Sequence, residues 1–350
     1  MTKSYAHKVF PKRNIAIFSI LGILLIISFG LNLLLGSIHI PVKAALQIFF
    51  GNSGNELWET ILLDFRLPKS ITAILAGAAL AVSGLQMQTT FRNPLAGPYV
   101  LGISSGASLG VAIMLLGISS LTAVNFGGII ASFSLAGAAI IGSMLVLLVI
   151  LAVSIRVKDI MTILILGMMF GSAASALVSI LQFFSHESML KAFVIWTMGS
   201  LSSVAGMQLH VFLIIVAIGI ALALLSIPML NVMQLGDTYA KGVGVNIGLS
   251  RAVVFLSTSL LAGGVTAFCG PIGFIGIAIP HIGRMVFRTA NHAVLIPGVI
   301  LLGSISLLLL DTISQLPGQS ISLPINSVAA IMGIPIVIYV VLKNKRFTGL

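Results

Sequence analysis

The stretch RAVVFLSTSLLAGGVTAFCGPIGFIGIAIPHIGR, residues 251–284, decides how this chain is arranged. Between Arg251 and Arg284 lie 32 residues without a charge. A membrane helix needs about 20 apolar residues, so the run is too long for one crossing and short for two. The segment CGPIGF at 269–274 and Pro280 interrupt it, as glycine and proline interrupt helices. Either one long crossing or two short, kinked ones would account for it.

The rest of the chain fixes the solvent. Of 350 residues, 58% are hydrophobic and only 7% charged, and the mean hydropathy is +1.19. Soluble domains carry roughly 25% charged residues. So apolar a chain belongs in a bilayer. Apolar runs predict spans near 15–36, 69–91, 97–117, 126–154, 160–183, 208–229, 251–269, 271–288, 293–314 and 325–342, ten if the opening stretch crosses twice. The first run follows Lys3, Lys8, Lys12 and Arg13. It exceeds the roughly 7–15 residue core of a cleaved signal, so it reads as an uncleaved first span.

Charge arbitrates the count. With ten spans and both termini in the cytoplasm, inner segments hold Lys3, Lys8, Lys12, Arg13, Arg92, Arg156, Lys158, Lys241, Arg251, Arg284, Arg288, Lys343, Lys345 and Arg346, out of 18 basic residues in all. The outside keeps Lys43, Arg66, Lys69 and Lys191. That is the positive-inside bias. A single crossing at 251–284 would move Arg284, Arg288 and the C-terminal KNKR outside and erase it. The expected fold is therefore an all-α integral membrane protein of ten transmembrane helices, one domain over residues 1–350. The net charge of +11 reads as inner-face retention, not nucleic-acid binding.

Small residues recur at helical spacing. Gly102, Gly106 and Gly110 share a face, as do Gly167 and Gly171. Such faces let helices approach closely in lipid. Gly171, Ser172 and Ser175 either serve that packing or line a pathway.

No catalytic constellation is evident. The six histidines are scattered and none has the His-x-x-x-His spacing of a helical metal site. The one cysteine, Cys269, excludes an internal disulfide or thiolate cluster. Of the acids, only Asp311 falls inside a proposed span, which weakens a proton-coupled carrier. No metal or cofactor is expected.

One polar segment stands out: QLGDTYAKGVGVNIG, residues 234–248. Its glycines fail the dinucleotide spacing, and no Gly-Lys pair exists for a phosphate-binding loop. Asp237 sits where a carboxylate would cap a short helix, and Gly242 and Gly244 where that helix would end. The segment is either a solvated loop or a docking helix for a cytoplasmic partner.

At this point a resemblance covers nearly the whole chain. It rests on RLPKSITAILAGAALAVSGLQMQTTFRNPLAGPYVLGISSGASLG (66–110), WTMGSL (196–201), LGDTYAKGVGV (235–245), GPIGFIGIAIPHIGR (270–284), LLLLDTISQ (307–315) and LPINSVAAIMGIPIVIYVV (323–341). In this order they resemble the permeases of type II ATP-driven importers for iron-siderophores, haem and vitamin B12. The resemblance implies a BtuC-like ABC importer permease fold and a homodimer in a bacterial cytoplasmic (inner) membrane. It also implies two copies of a cytoplasmic ATPase and a periplasmic or lipid-anchored substrate-binding protein. By the same resemblance Gly236, Asp237, Tyr239, Ala240, Lys241, Gly242 and Gly244 belong to an ATPase-coupling segment at about 233–249. Asn93 and Leu95, with Ile160 and Met161, fall at a cytoplasmic gate. Arg66 and Lys69 match basic residues that dock the binding protein, although headgroup snorkelling would also explain them. Gln315, Ser322 and Asn326 depart from the family pattern. An ion-coupled carrier and a permease for bare metal ions are the alternative functions.

Overall fold

The structure, a computed structural model, describes residues 12–51, 55–118, 128–157, 159–315 and 322–344. Lys3, Lys8, Lys158, Lys345 and Arg346 of the charge argument lie outside them. Among the described residues the regular structure is helical throughout. In chain order the α-helices are α1 (Lys12–Leu34), α2 (Val42–Phe49), α3 (Glu56–Thr60), α4 (Leu67–Thr90), α5 (Ile103–Ala112), α6 (Gly128–Arg156), α7 (Ile160–Phe183) and α8 (Glu187–Thr197). There follow α9 (Met207–Leu225), α10 (Ile227–Met233), α11 (Asp237–Gly242), α12 (Ile247–Thr258), α13 (Gly264–Cys269), α14 (Ile275–Phe287), α15 (His292–Ser314) and α16 (Ile325–Asn344). Wider π turns at Ile61–Arg66, Ile113–Ile118 and Ser259–Gly263 join α3 to α4, extend α5 and join α12 to α13.

Seven described helical stretches are long and apolar enough to cross a membrane, and three shorter apolar ones lie at Ile103–Gly117, Ile275–Phe287 and Ile325–Tyr339. Together they stand where the ten spans are expected. The opening stretch divides as the charge argument requires. Helix runs from Ile247 to Cys269, breaks at 270–274, and resumes at Ile275. Gly270 (φ 73°) and Phe274 (φ 65°) make the break in the left-handed region.

A break inside a bilayer leaves backbone groups that water cannot reach, so protein must satisfy them. The Tyr99 hydroxyl donates to the Ile272 carbonyl (3.1 Å). The Gly273 amide donates to Asn326 Oδ1 (3.0 Å), and the Ser200 amide to the Cys269 carbonyl (2.7 Å). Asn326, a departure from the family pattern, thus holds the broken helix.

Long-range bonds sort the helix ends onto two sides. At one end Arg13 donates to the Phe287 carbonyl (2.6 Å), and Arg284 pairs with Gln88. At the other, Asn32 donates to Asp311 (2.9 Å). Each bond joins ends that a ten-span path puts on the same side. A single crossing at 251–284 would place Arg13 and Phe287 on opposite sides.

Helix α4 is the axis of the fold and is buried for most of its length. It packs mainly on α14 and α15. Glycine permits this contact: a Cβ on Gly84 would collide with the Gly276 backbone, and one on Gly77 with the Gly303 backbone. The glycine face read from the sequence behaves similarly. Gly106 and Gly110 meet Gly142 and Ala138 of α6, and Gly167 meets the chain at Leu101. Most buried polar side chains of α4 find partners within the bundle, although the Thr90 hydroxyl has none among the described residues. Gln86, for example, accepts from Ser257 and Thr258 of α12 (both 3.1 Å), as low-dielectric burial demands.

Candidate functional site

The polar segment 234–248 folds as a short helix with a defined stop. Gly236 enters it at φ 115°, a conformation open to glycine. After α11 the Val245 amide donates to the Ala240 carbonyl (2.9 Å) and the Gly244 amide to the Lys241 carbonyl (3.0 Å). With Gly244 left-handed at φ 84°, this is a Schellman ending. Gly242 is the last helical residue and has open space around it. Tyr239 and Lys241 are exposed, while Ala240 is buried against the body.

Asp237 does not cap this helix, contrary to the expectation. No side-chain cap bond forms at its start. Both carboxylate oxygens are taken by arginines instead: Oδ1 by Arg92, and Oδ2 by Arg251 at 2.7 Å. Arg251 is buried and Arg92 largely exposed. Gly236 holds the cap position and Asp237 is the first helical residue, so its carboxylate turns to the arginines.

Arg92 opens the loop RNPLAG, residues 92–97, where α4 ends. It takes a left-handed φ of 47°. Asn93 folds the loop by accepting the Leu95 amide (2.9 Å), and His281 of α14 donates to the Pro94 carbonyl (2.7 Å). The loop is therefore clasped from α11 through Arg92 and from α14 through Pro94. Leu95 remains 43% exposed and Met161 49%. Ile160 is half-buried. Asp159 begins α7 by accepting the amides of Met161 (3.4 Å) and Thr162 (2.9 Å). The Thr162 hydroxyl and amide hold its carboxyl below the usual aspartate range.

Gly171, Ser172 and Ser175 come together on an open cavity of about 520 Å³, with Tyr99, Gly102 and Ser105 on its other wall. Both serines are exposed within one chain. Tyr99 also holds the broken helix, so the cavity wall and the break share a residue.

At the opposite end the structure revises the docking expectation. Arg66 is only 7% exposed. It donates to the carbonyls of Leu33 (2.8 Å), Leu34 (2.9 Å) and Ile38, closing the chain after α1. A side chain so occupied is not a rim charge. Lys69 is also largely buried and pairs with Asp311 at 2.9 Å. Asp311 further accepts from Asn32 (2.9 Å) and Gln315 (2.8 Å), and Ser70 donates to Asn32 (2.6 Å). Sequence reading missed this network because its members come from α1, α4 and α15. The one signal available was a lone acid inside a span. The Lys69–Asp311 pair borders an opening of about 230 Å³ beside Gly199 and Pro324, so Lys69 keeps a route to the surface that Arg66 lacks.

Comparison with known proteins completes the description. The chain is 34% identical over 336 residues to the vitamin B12 import system permease protein BtuC of Citrobacter koseri, covering 96% of each. It is 36% identical over 289 residues to the BtuC of Salmonella typhi, covering 82% of this chain and 85% of the relative. Among solved structures, it superposes on a metal-chelate type ABC transporter in an inward-facing conformation with a TM-score of 0.81 at 29% identity, covering 94% of this chain and 99% of the other. PsaBC from Streptococcus pneumoniae in complex with Fab shares the fold at a TM-score of 0.51 and 15% identity, over 84% of this chain and 94% of that one. The FecCD transport family matches residues 24–343, and the chain belongs to that family.

Proposed function

We propose that this chain is the permease subunit of an ATP-driven importer that moves an iron-siderophore, haem or cobalamin across the cytoplasmic membrane as a homodimer. Two copies of a cytoplasmic ATPase drive it, and a substrate-binding protein delivers the cargo. The observation that carries the reading is the Asp237 clasp. The short helix offered to an ATPase is ion-paired directly to the loop that bears Leu95. A displacement of α11 therefore acts on RNPLAG through one side chain, without a chain of intermediates.

The parts take distinct roles in this reading. Gly236 and Gly244 set the two ends of α11, and Tyr239, Lys241 and Gly242 face the partner. Asn93 and Leu95, with Ile160 and Met161 of the second wall, narrow the inner mouth. An apolar constriction excludes hydrated solutes by dewetting. Gly171, Ser172 and Ser175 offer small, weakly polar walls that let a bulky chelate pass without binding tightly. The FecCD match and the BtuC relatives support a chelated cargo over a bare ion.

The deciding experiment reconstitutes the chain with its ATPase and binding protein in proteoliposomes. Radiolabelled siderophores, haem and cobalamin are then offered with and without ATP. Uptake of one of them only with ATP is the expected result. Uptake driven by an ion gradient alone would overturn the proposal in favour of a secondary carrier.

A further inference from the structure

Beside the coupling helix, at the end of the bundle that carries Arg92, Arg251 and Arg284, a cavity of about 630 Å³ lies between α6 and α12. Leu151 and Ser154 of α6 form one wall, Arg251 and Ala252 of α12 the other, and Asp237 and Lys241 close one end. Three features fix its chemistry. Arg251 and Lys241 line it, Arg92 adjoins it through Asp237, and these three cations outnumber the two carboxylates near them, Asp237 and Asp159, so the local balance is positive. The cavity also touches Ile247 and Gly248, the first residues of α12, whose partial positive charge favours an anion. Finally, most of its lining surface is apolar, and Leu151 lies five residues before the exposed Arg156 that ends α6. At about 1.5 Å per residue that is roughly 7 Å along the helix, the step from headgroup level into hydrocarbon.

We infer that this cavity binds one anionic phospholipid, its headgroup phosphate against Lys241 and Arg251 and the start of an acyl chain along Leu151 and Ala252. A free phosphate would use the cations but leave the apolar wall in water. A neutral lipid would use the wall but leave the positive charge unmatched. Basic pockets between membrane helices bind acidic headgroups on this principle. The inference rests on the chain being a membrane protein and not on its cargo. A lipid here would touch α11 and α12 together, next to the Asp237 clasp.

Native mass spectrometry of the intact permease, purified from bilayers of equal phosphatidylglycerol and phosphatidylcholine, provides the test. Retention of phosphatidylglycerol over phosphatidylcholine is expected. Lys241→Glu reverses a rim charge, and Ser154→Phe fills the cavity while leaving every charge in place. Each should lower that retention about fivefold, with an unchanged elution profile showing that the fold survives. Equal retention of the two lipids, or retention unaffected by both variants, overturns the proposal. So does displacement of the lipid by millimolar inorganic phosphate, which would make this a free-anion site. Release of the lipid when the ATPase assembles would make it the partner's seat and would overturn it too. None of these readouts depends on uptake, so the inference and the transport reading fail separately.

Discussion

Arg92 and Asp237 stand 145 residues apart in sequence and form an ion pair at the end of the bundle that carries Arg284. The pair joins the end of α4 to the start of α11. Arg251, buried behind it, takes the second oxygen of the same carboxylate. The two halves differ in weight. The exposed half contributes under about 1 kcal/mol, whereas the buried guanidinium would be left without its counter-charge. Asp237→Ala should therefore cost about 1–3 kcal/mol in stability. ATP-dependent uptake should fall about tenfold, while the ATPase continues to hydrolyse ATP. Arg92→Ala should leave thermal stability nearly unchanged and still reduce uptake. Parallel melting curves and paired ATPase and uptake assays check this. Normal uptake in both variants would show that the clasp transmits nothing.

The burial of Arg66 predicts a stability phenotype, not a docking one. Arg66→Ala leaves the carbonyls of Leu33, Leu34 and Ile38 without their donor. Each unsatisfied buried group costs about 1–3 kcal/mol. The variant should melt well below wild type, and Arg66→Lys should recover only part of the loss because one ammonium cannot replace a fork. Association with the binding protein, measured on the surviving folded fraction, should keep its salt dependence. An unchanged melting curve with slowed, salt-insensitive association would restore the docking role.

Gly84 and Gly242 make opposite predictions from the same residue type. Gly84→Val drives a side chain into the Gly276 backbone, and α4 must part from α14. Overpacking of this kind costs about 1–3 kcal/mol or more, so loss of the monodisperse elution peak is expected. At Gly242 a Cβ would meet no atom of this chain within 4 Å, so Gly242→Trp starts into open space. The fold should survive, but the surface offered to the ATPase changes and coupling should fail. Normal ATPase stimulation in Gly242→Trp would remove this face from the coupling interface.

In the proposed homodimer the exposed Leu95 should meet a second copy. Leu95→Cys in both subunits should cross-link when the inner mouth is closed, and a bulky Ser172→Leu should slow uptake without slowing ATP hydrolysis. Free labelling of the cysteine from lipid, in place of cross-linking, would move Leu95 to the outer surface of the dimer.

Asp159 gives the start of α7 a dependence on pH. Its hydrogen bonds to Thr162 and Met161 favour the charged form, so its folded pKa lies below the unfolded one. The stabilisation is present in full above the ordinary aspartate pKa of about 3.9 and is lost as pH falls through the depressed value. Protection of the Met161 and Thr162 amides, measured against the intrinsic exchange rate at each pH, should therefore be unchanged from neutral pH to about 5 and fall in stronger acid. Asp159→Asn, which cannot titrate, should flatten that profile.

The fold was legible where the signal is local or summed over many residues. Apolar runs marked the spans, glycine spacing marked the helix contacts, and charge bias chose two crossings at 251–284. The pairings were not legible, because no local pattern tells Asp237 that its partners are Arg92 and Arg251. The burial of Arg66 was not legible for the same reason. RLPK at a span's end reads as an exposed pair until the segment after α1 folds over one member and Asp311 meets the other. The short helix at 237–242 was legible from its polarity, but its cap was misassigned, since Asp237 falls one residue inside the helix and pairs with a buried arginine.

The close backbone contact between Gly84 and Gly276 bears on how the chain is made. Helix α14 spans 13 residues, about 20 Å against a hydrocarbon layer of about 30 Å. It is too short to partition stably into lipid by itself. The ribosome delivers α4 long before α14, so the receiving surface is already in the bilayer when the later helix emerges. Insertion of α14 is then a docking event on a finished neighbour, and a mutation at Gly84 would first be felt during biosynthesis, as a crossing that never completes.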